Sequence, residues 1–208
     1  ERFVFGACRL FDEDPVASWL SVRASQQKAV DRLNAASTVR YVSADTDISF
    51  SVKGRRWINS DGRRNMPSGE VFTSPVEDSV NGRIRFSYPG IYMGEEIEDI
   101  RLEVKDGLVV KWTASRGQEF LDRVMEIEGA RRFGEAAIGT NAGITRFSKN
   151  MLFDEKMGGT IHMALGSTYR ETGGKNESPI HWDLLADMRS GEIHADGECI
   201  YRSGAFLF

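Results

Sequence analysis

Apolar residues recur along the chain first with a helical spacing and then with a strand spacing. Val16, Trp19, Leu20, Val30 and Leu33 share one helical face after Asp14-Pro15, an N-cap followed by proline at the first helical position. This predicts a helix from Pro15 to Ala36. From Thr38 the period becomes two. Val39 and Tyr41, then Ile48, Phe50 and Val52, alternate with polar residues as half-buried strands do. Ile84, Phe86 and Tyr88 alternate again, and Ile100–Lys105 and Leu108–Trp112 flank Asp106-Gly107, a type I′ hairpin signature. Phe120, Leu121, Val124 and Met125 mark a second helix, and a third short helical piece is predicted over Gly129–Ile138. In the last third, Ile161, Met163 and Leu165 face one way and His162, Ala164 and Gly166 the other. Ile180–Leu185 reads as a further strand, with Asp196-Gly197 and Ser203-Gly204 as closing turns. The pattern predicts an α+β fold: a large, mainly antiparallel sheet with a few flanking helices.

Two stretches break the pattern. Lys53–Gly69 carries four arginines, three glycines, two asparagines and Pro67 without an apolar repeat, and reads as a turn-rich connection. Phe3-Val4-Phe5 reads as the middle of a strand, and the first residue is Glu1, so the chain is expected to begin inside a longer protein.

At 208 residues the chain suits one domain (1–208) with a real core. The net charge of −4 argues against tracking nucleic-acid phosphates as the main task. No apolar run of about 18 residues predicts a transmembrane helix, and no signal peptide is visible, so no membrane partner is expected. The only thiols, Cys8 and Cys199, form no C-x-x-C, which disfavours a thiolate zinc site and fits a reducing, cytoplasmic setting.

Few residues are candidates for chemistry. Of three histidines, His162 and His181 lie inside apolar strands, while His194 sits near a turn as a solvated strand residue. His181 and Asp183 are two apart, so a strand projects both from one face, as two metal ligands or as a hydrogen-bonded pair. Glu70 and Glu135 stand among small and apolar residues, where a carboxylate is costly unless paired, protonated or bound to a cation. A satisfied core histidine and a surface glutamate fit the same positions. Ser43, Ser60 and Ser178 lack a nucleophile-elbow context. Gly158-Gly159 and Gly173-Gly174 match no phosphate loop, and the acidic string Gly94–Asp99 reads as a solvated loop. Arg55, Arg56, Arg63 and Arg64 could recognise a carboxylate or simply form a solvated face.

Several segments together are more specific. Asn65-Met-Pro-Ser-Gly-Glu-Val-Phe-Thr-Ser-Pro75, Gly134-Glu-Ala-Ala-Ile-Gly139, Leu152-Phe-Asp-Glu-Lys156 with Gly159-Thr-Ile-His-Met-Ala-Leu-Gly166, and Gly174-Lys-Asn-Glu-Ser-Pro-Ile-His-Trp-Asp183 follow one another in order. In this order they resemble the motifs of the thermophilic metallo-aminopeptidase family that holds aminopeptidase T, aminopeptidase S and PepS. The resemblance covers residues 40 to 208 and lacks the family's N-terminal region. It implies a cocatalytic pair of divalent ions, Zn²⁺, Co²⁺ or Mn²⁺, held by Glu70, Glu135, His162, His181 and Asp183. It implies peptide substrates with a free N-terminus, Glu135 as proton relay, Tyr169 near the reacting carbonyl, and a homodimer. The other reading is a catalytically silent metal-binding fragment, or a dimerisation module, that needs the N-terminal region. Without metal, three converging carboxylates repel, so partial disorder or a stray cation is expected.

Overall fold

The computed structural model describes all residues, Glu1–Phe208. Two helices open the chain, α1 (Arg2–Ala7) and α2 (Pro15–Asn34). Strands β1 (Thr38–Ser43), β2 (Thr46–Ser51), β3 (Ile58–Ser60), β4 (Glu70–Thr73) and β5 (Asn81–Phe86) follow. Then come the small hairpin β6 (Gly90–Tyr92) and β7 (Glu95–Ile97), the hairpin β8 (Ile100–Lys105) and β9 (Leu108–Thr113), and α3 (Gln118–Met125). The remaining elements are β10 (Phe133–Gly139), α4 (Met151–Asp154), β11 (Thr160–Gly166), β12 (His181–Asp187), β13 (Glu192–Ala195), β14 (Glu198–Arg202) and β15 (Ala205–Phe206).

Eight strands form one antiparallel sheet in the order β15-β14-β13-β1-β2-β5-β8-β9, and five form a second in the order β12-β11-β10-β4-β3. The fold is therefore α+β with large antiparallel sheets, as the alternation predicted. The small sheet has two distinct faces. Its register aligns Ile58, Phe72 and Ala137, then Ala137 with His162 and His162 with Leu185. Residues two apart share a face, so Glu70, Glu135, Ala164, His181 and Asp183 lie on this side too. The opposite side carries Val71, Ala136, Ile138, Ile161, Met163, Leu165, Trp182 and Leu184, all in the main core with Tyr41, Ile48, Phe86 and Leu102 of the large sheet. Burying each of the larger side chains contributes about 1.5–3 kcal/mol, so the core pins the register that turns the ligand face away from it.

Six expectations are corrected. Phe3–Phe5 is helical: Phe3 stacks on Phe153 at 5.5 Å and Ala7, one turn on, is fully buried. A short apolar run cannot by itself separate strand from helix. Gly129–Ile138 is not helical; turns lead into β10, whose seven residues are all buried. Its small residues serve a strand covered on both faces, and Gly134 packs against the carbonyls of Gly166 and Ser167. The acidic string contains β7, with Ile97 fully buried, rather than only solvated loop. Lys53–Gly69 contains the strand β3, and β5 ends at Phe86, so that Tyr88 leaves the sheet to stack on Phe147. The long helix ends at Asn34, two residues early, and Asp14 caps it by accepting from Ala17 N–H at 3.0 Å.

Candidate metal centre

Glu70 opens β4 directly after Gly69. That glycine has φ +112°, and a Cβ there would come within 2.8 Å of the Asn141 Cβ. Asn141 in turn donates from Nδ2 to the carbonyls of Ser68 and Ala7 at 2.7 and 2.9 Å. From α2, buried Gln26 donates to the carbonyls of Ser60 and Glu70 and accepts from the Thr140 hydroxyl. The helix that the sequence announced therefore fixes the strand ends that carry Glu70. Glu135 follows Gly134 at an irregularity between β10 and β11. His162 comes from the middle of β11, and His181 and Asp183 from the start of β12.

The structure brings all five predicted ligands together. His162 Nε2 lies 3.2 Å from Glu135 Oε1, 3.5 Å from Glu70 Oε2 and 3.9 Å from Asp183 Oδ1. His181 Nε2 lies 3.3 Å from Glu135 Oε2 and 3.4 Å from Asp183 Oδ1. Two donor triads result, Glu70–Glu135–His162 and Glu135–His181–Asp183, sharing Glu135. Each triad has its donor atoms within 4.8 Å of one another. Tyr169 stands at the rim, 49% exposed, with its ring 5.0 Å from that of His181 and 5.8 Å from Phe72.

Two charged residues at the site were not singled out from the sequence. Lys156 is fully buried, with Nζ 3.6 Å from Glu70 Oε1 and paired to Glu155. The only signal was their position in the Leu152–Lys156 motif. His194 is partly buried and pairs with Glu192 at 2.9 Å, away from the site.

The electrostatics follow from burial and proximity. Burial pushes the Glu70 carboxyl up to about 8, against the pull of Lys156 and His162. Burial works to lower His162, but Glu135, Asp183 and Glu70 outweigh it and raise it to about 9. Burial likewise opposes protonation of His181, yet Asp183 and Glu135 raise it to about 11. Asp183 is held below its ordinary value, because His181 and His162 outweigh its burial.

The donor set fits divalent cations. Three carboxylates and two imidazoles are hard and borderline donors. His181 donates from Nδ1 to the Ser167 carbonyl at 2.8 Å, which leaves Nε2 facing the carboxylates. Glu70 Oε2 is buried with no hydrogen-bond partner, a costly state for a carboxylate oxygen that a cation would relieve. His162 Nδ1 is likewise buried without a partner.

Fold and site together define a carboxylate–imidazole metal centre, largely buried, on the face of a β-sheet opposite the main core. Residues 1–206 match the thermophilic metalloprotease (M29) family, and the chain belongs to it. It is 32% identical over 240 residues to "Aminopeptidase 2" of Geobacillus stearothermophilus, covering 99% of this chain and 58% of that protein. It is 31% identical over 231 residues to "Aminopeptidase T" of Thermus thermophilus, covering 97% of this chain and 55% of the relative. The chain thus spans little more than half the length of these relatives. Among solved structures, wild-type AmpT from Thermus thermophilus superposes with a TM-score of 0.86 at 28% identity, over 99% of this chain and 57% of that one. The 2,5-dihydroxypyridine dioxygenase of Pseudomonas putida shares the fold, with a TM-score of 0.73 at 19% identity over 94% and 63% of the two chains.

Proposed function

We propose that this chain is the metal-binding, catalytic part of a metal-dependent aminopeptidase that releases N-terminal residues from peptides. The observation that carries the reading is the pair of donor triads joined at Glu135, in a chain of the M29 family. Glu70, Glu135 and His162 would hold one divalent ion, and Glu135, His181 and Asp183 a second, with Zn²⁺, Co²⁺ or Mn²⁺ suited to these donors. Such ions, when bound, supply an activated water near neutral pH and polarise a peptide carbonyl.

The chain's own residues do the rest. Glu135 lies between both histidines, so its carboxylate is placed to take a proton and return it to the leaving amine. Tyr169 reaches the rim beside His181. Burial and the nearby Glu135 and Asp183 carboxylates raise its phenol, so it keeps the proton it would donate to the oxyanion of the tetrahedral intermediate. The proposal extends to a cytoplasmic homodimer as the working form, resting on the family resemblance.

Two measurements test it. The chain is loaded with Co²⁺ or Zn²⁺, desalted and analysed for metal. About two ions per chain are expected, falling in Glu70→Gln, Glu135→Gln and His181→Ala. The full-length, metal-loaded protein is expected to release the first residue of an unblocked peptide and to leave its N-acetylated form intact. Absence of retained metal, or hydrolysis indifferent to the acetyl group, refutes the reading.

A further inference from the structure

Beside the metal centre lies a cavity of about 500 Å³ whose wall includes Phe72, Trp57, Arg56, Arg63, Arg64 and Glu171. It continues the ligand face of the small sheet. Phe72 is two residues beyond Glu70 on β4, pairs in register with Ile58 on β3, and meets Tyr169 edge-on.

The charges on this wall do not cancel. Two carboxylates, Asp61 and Glu171, line it, and both are fully used. Asp61 receives Arg23 Nε on Oδ2 at 2.6 Å and Arg63 Nε on Oδ1 at 2.9 Å. Glu171 accepts from both terminal nitrogens of Arg64, one on each oxygen. Arg55, the chain neighbour of Arg56, is spent on Glu77 and the Gly173 carbonyl. Arg56 alone makes no ion pair or hydrogen bond to a carboxylate, although its charge reaches Glu171, and its residue is exposed on the cavity wall. Only its backbone is engaged, with Thr172 and Thr73.

We infer that Arg56 marks a carboxylate-binding subsite, so that the preferred substrates are short peptides whose free C-terminal carboxylate is held there. The inference rests on the aminopeptidase reading, since it needs the peptide N-terminus at the metal centre. A guanidinium presents a planar fork that matches a carboxylate with two parallel hydrogen bonds. The span agrees. The Arg56 carbonyl accepts from Thr73 of β4, which pairs with Ala136 beside Glu135 on β10, so Arg56 and Glu135 are about two strand spacings apart, about 10 Å at 4.7–4.9 Å each. An extended peptide covers that in about three residues at 3.3–3.6 Å each. Phe72, on the same face of the sheet, would lie against the last side chain.

The test separates the subsite from the catalytic reading by using metal-free protein and a non-hydrolysable ligand. The probe is an N-acetylated tripeptide, as free acid and as C-terminal amide, titrated against the full-length protein while the arginine Nε–H resonances are followed by NMR. The acid is expected to bind at least about fivefold more tightly than the amide and to move the Arg56 resonance. Arg56→Met should remove that preference and leave two-ion loading unchanged. Equal affinity for acid and amide, no saturable shift with either, or a preference that survives in Arg56→Met would overturn the subsite. Loss of metal loading in the unmodified protein would instead overturn the aminopeptidase reading.

Discussion

Gly134 precedes Glu135 and shows how closely the scaffold and the site are joined. A Cβ at Gly134 would lie against the carbonyl oxygens of Ser167 and Gly166, 2.5 Å from the latter and closer still to the former. Ordinary van der Waals contact begins at 3.4 Å, so the deficit is at least about 0.9 Å. Both obstacles are backbone, which has no rotamer with which to escape. The Ser167 carbonyl is the group that accepts from His181 Nδ1, and Ser167 N–H is bonded to the Ile180 carbonyl at 2.7 Å. Gly134→Ala must therefore push apart Glu135 and the segment that orients His181. Overpacking of this kind costs about 1–3 kcal/mol. At about 2–4 °C per kcal/mol for a chain of this size, the melting temperature falls by about 2–12 °C. Misplacing reacting groups by about 1 Å costs about 10²-fold in rate, and the Glu135–His181–Asp183 position should hold metal less tightly. The control is Gly6→Ala in α1, where the nearest obstacle is 3.9 Å away. That variant should melt no lower than the parent, because alanine is favoured by about 0.8–1.0 kcal/mol inside a helix. Differential scanning calorimetry and metal analysis of both variants decide the matter. A Gly134→Ala protein that melts within about 1 °C of the parent and loads metal normally would refute the reasoning.

Four further outcomes are expected. Saturating Co²⁺ at 100 times its dissociation constant adds about 2.7 kcal/mol, so the melting temperature should rise by about 5–11 °C; an unchanged melting curve would deny a metal site. Glu135→Gln removes the donor common to both triads and should lower the retained metal more than Glu70→Gln does, as read by elemental analysis. Tyr169→Phe should leave metal loading intact and lower kcat by about 10²–10³-fold, the usual loss for one oxyanion donor. Asp61→Asn should cost about 1 kcal/mol, because its arginine partners are partly exposed. Burial raises the Asp61 carboxyl, but Arg63 and Arg23 outweigh it and hold it below 3.8. The stability gap to the parent should therefore be full above pH 3.8 and close as pH falls through the lower native value, as urea unfolding against pH would show.

Much of this was legible in the sequence where local chemistry and tertiary packing agree. The β8–β9 hairpin is one such place: Asp106 and Gly107 both take positive φ, 50° and 76°, as a type I′ turn requires. The alternation of β11 correctly set His162 on the face opposite Met163, and the spacing of His181 and Asp183 put both on one face. Where packing overrides propensity the reading failed. In β10 the small residues Gly134, Ala136 and Ala137 suggest a helix, but they are small because backbone and strands press on both sides. Helix α1 was hidden because its apolar run is short and its partner Phe153 is remote in sequence. Lys156 was missed because a lysine reads as surface; only the fold reveals that Glu70 and Glu155 enclose it.

The converging carboxylates are not the only charges at the site. Glu70, Glu135, Glu155 and Asp183 are faced by His162, His181 and Lys156. Both imidazoles are raised well above neutrality by those carboxylates. A divalent ion would have to displace a proton from each imidazole nitrogen it binds. Lys156 stays as a fixed counter-charge, because it points at Glu70 Oε1 while the unpartnered Oε2 faces His162. The frame itself is set from the other side of the sheet. Met163 and Trp182 alternate with His162, His181 and Asp183 along β11 and β12, and their burial in the main core holds the strands in register. A slip of one residue would bury the ligands in the core and expose the core residues. Folding energy and ligand geometry thus come from alternate residues of the same strands.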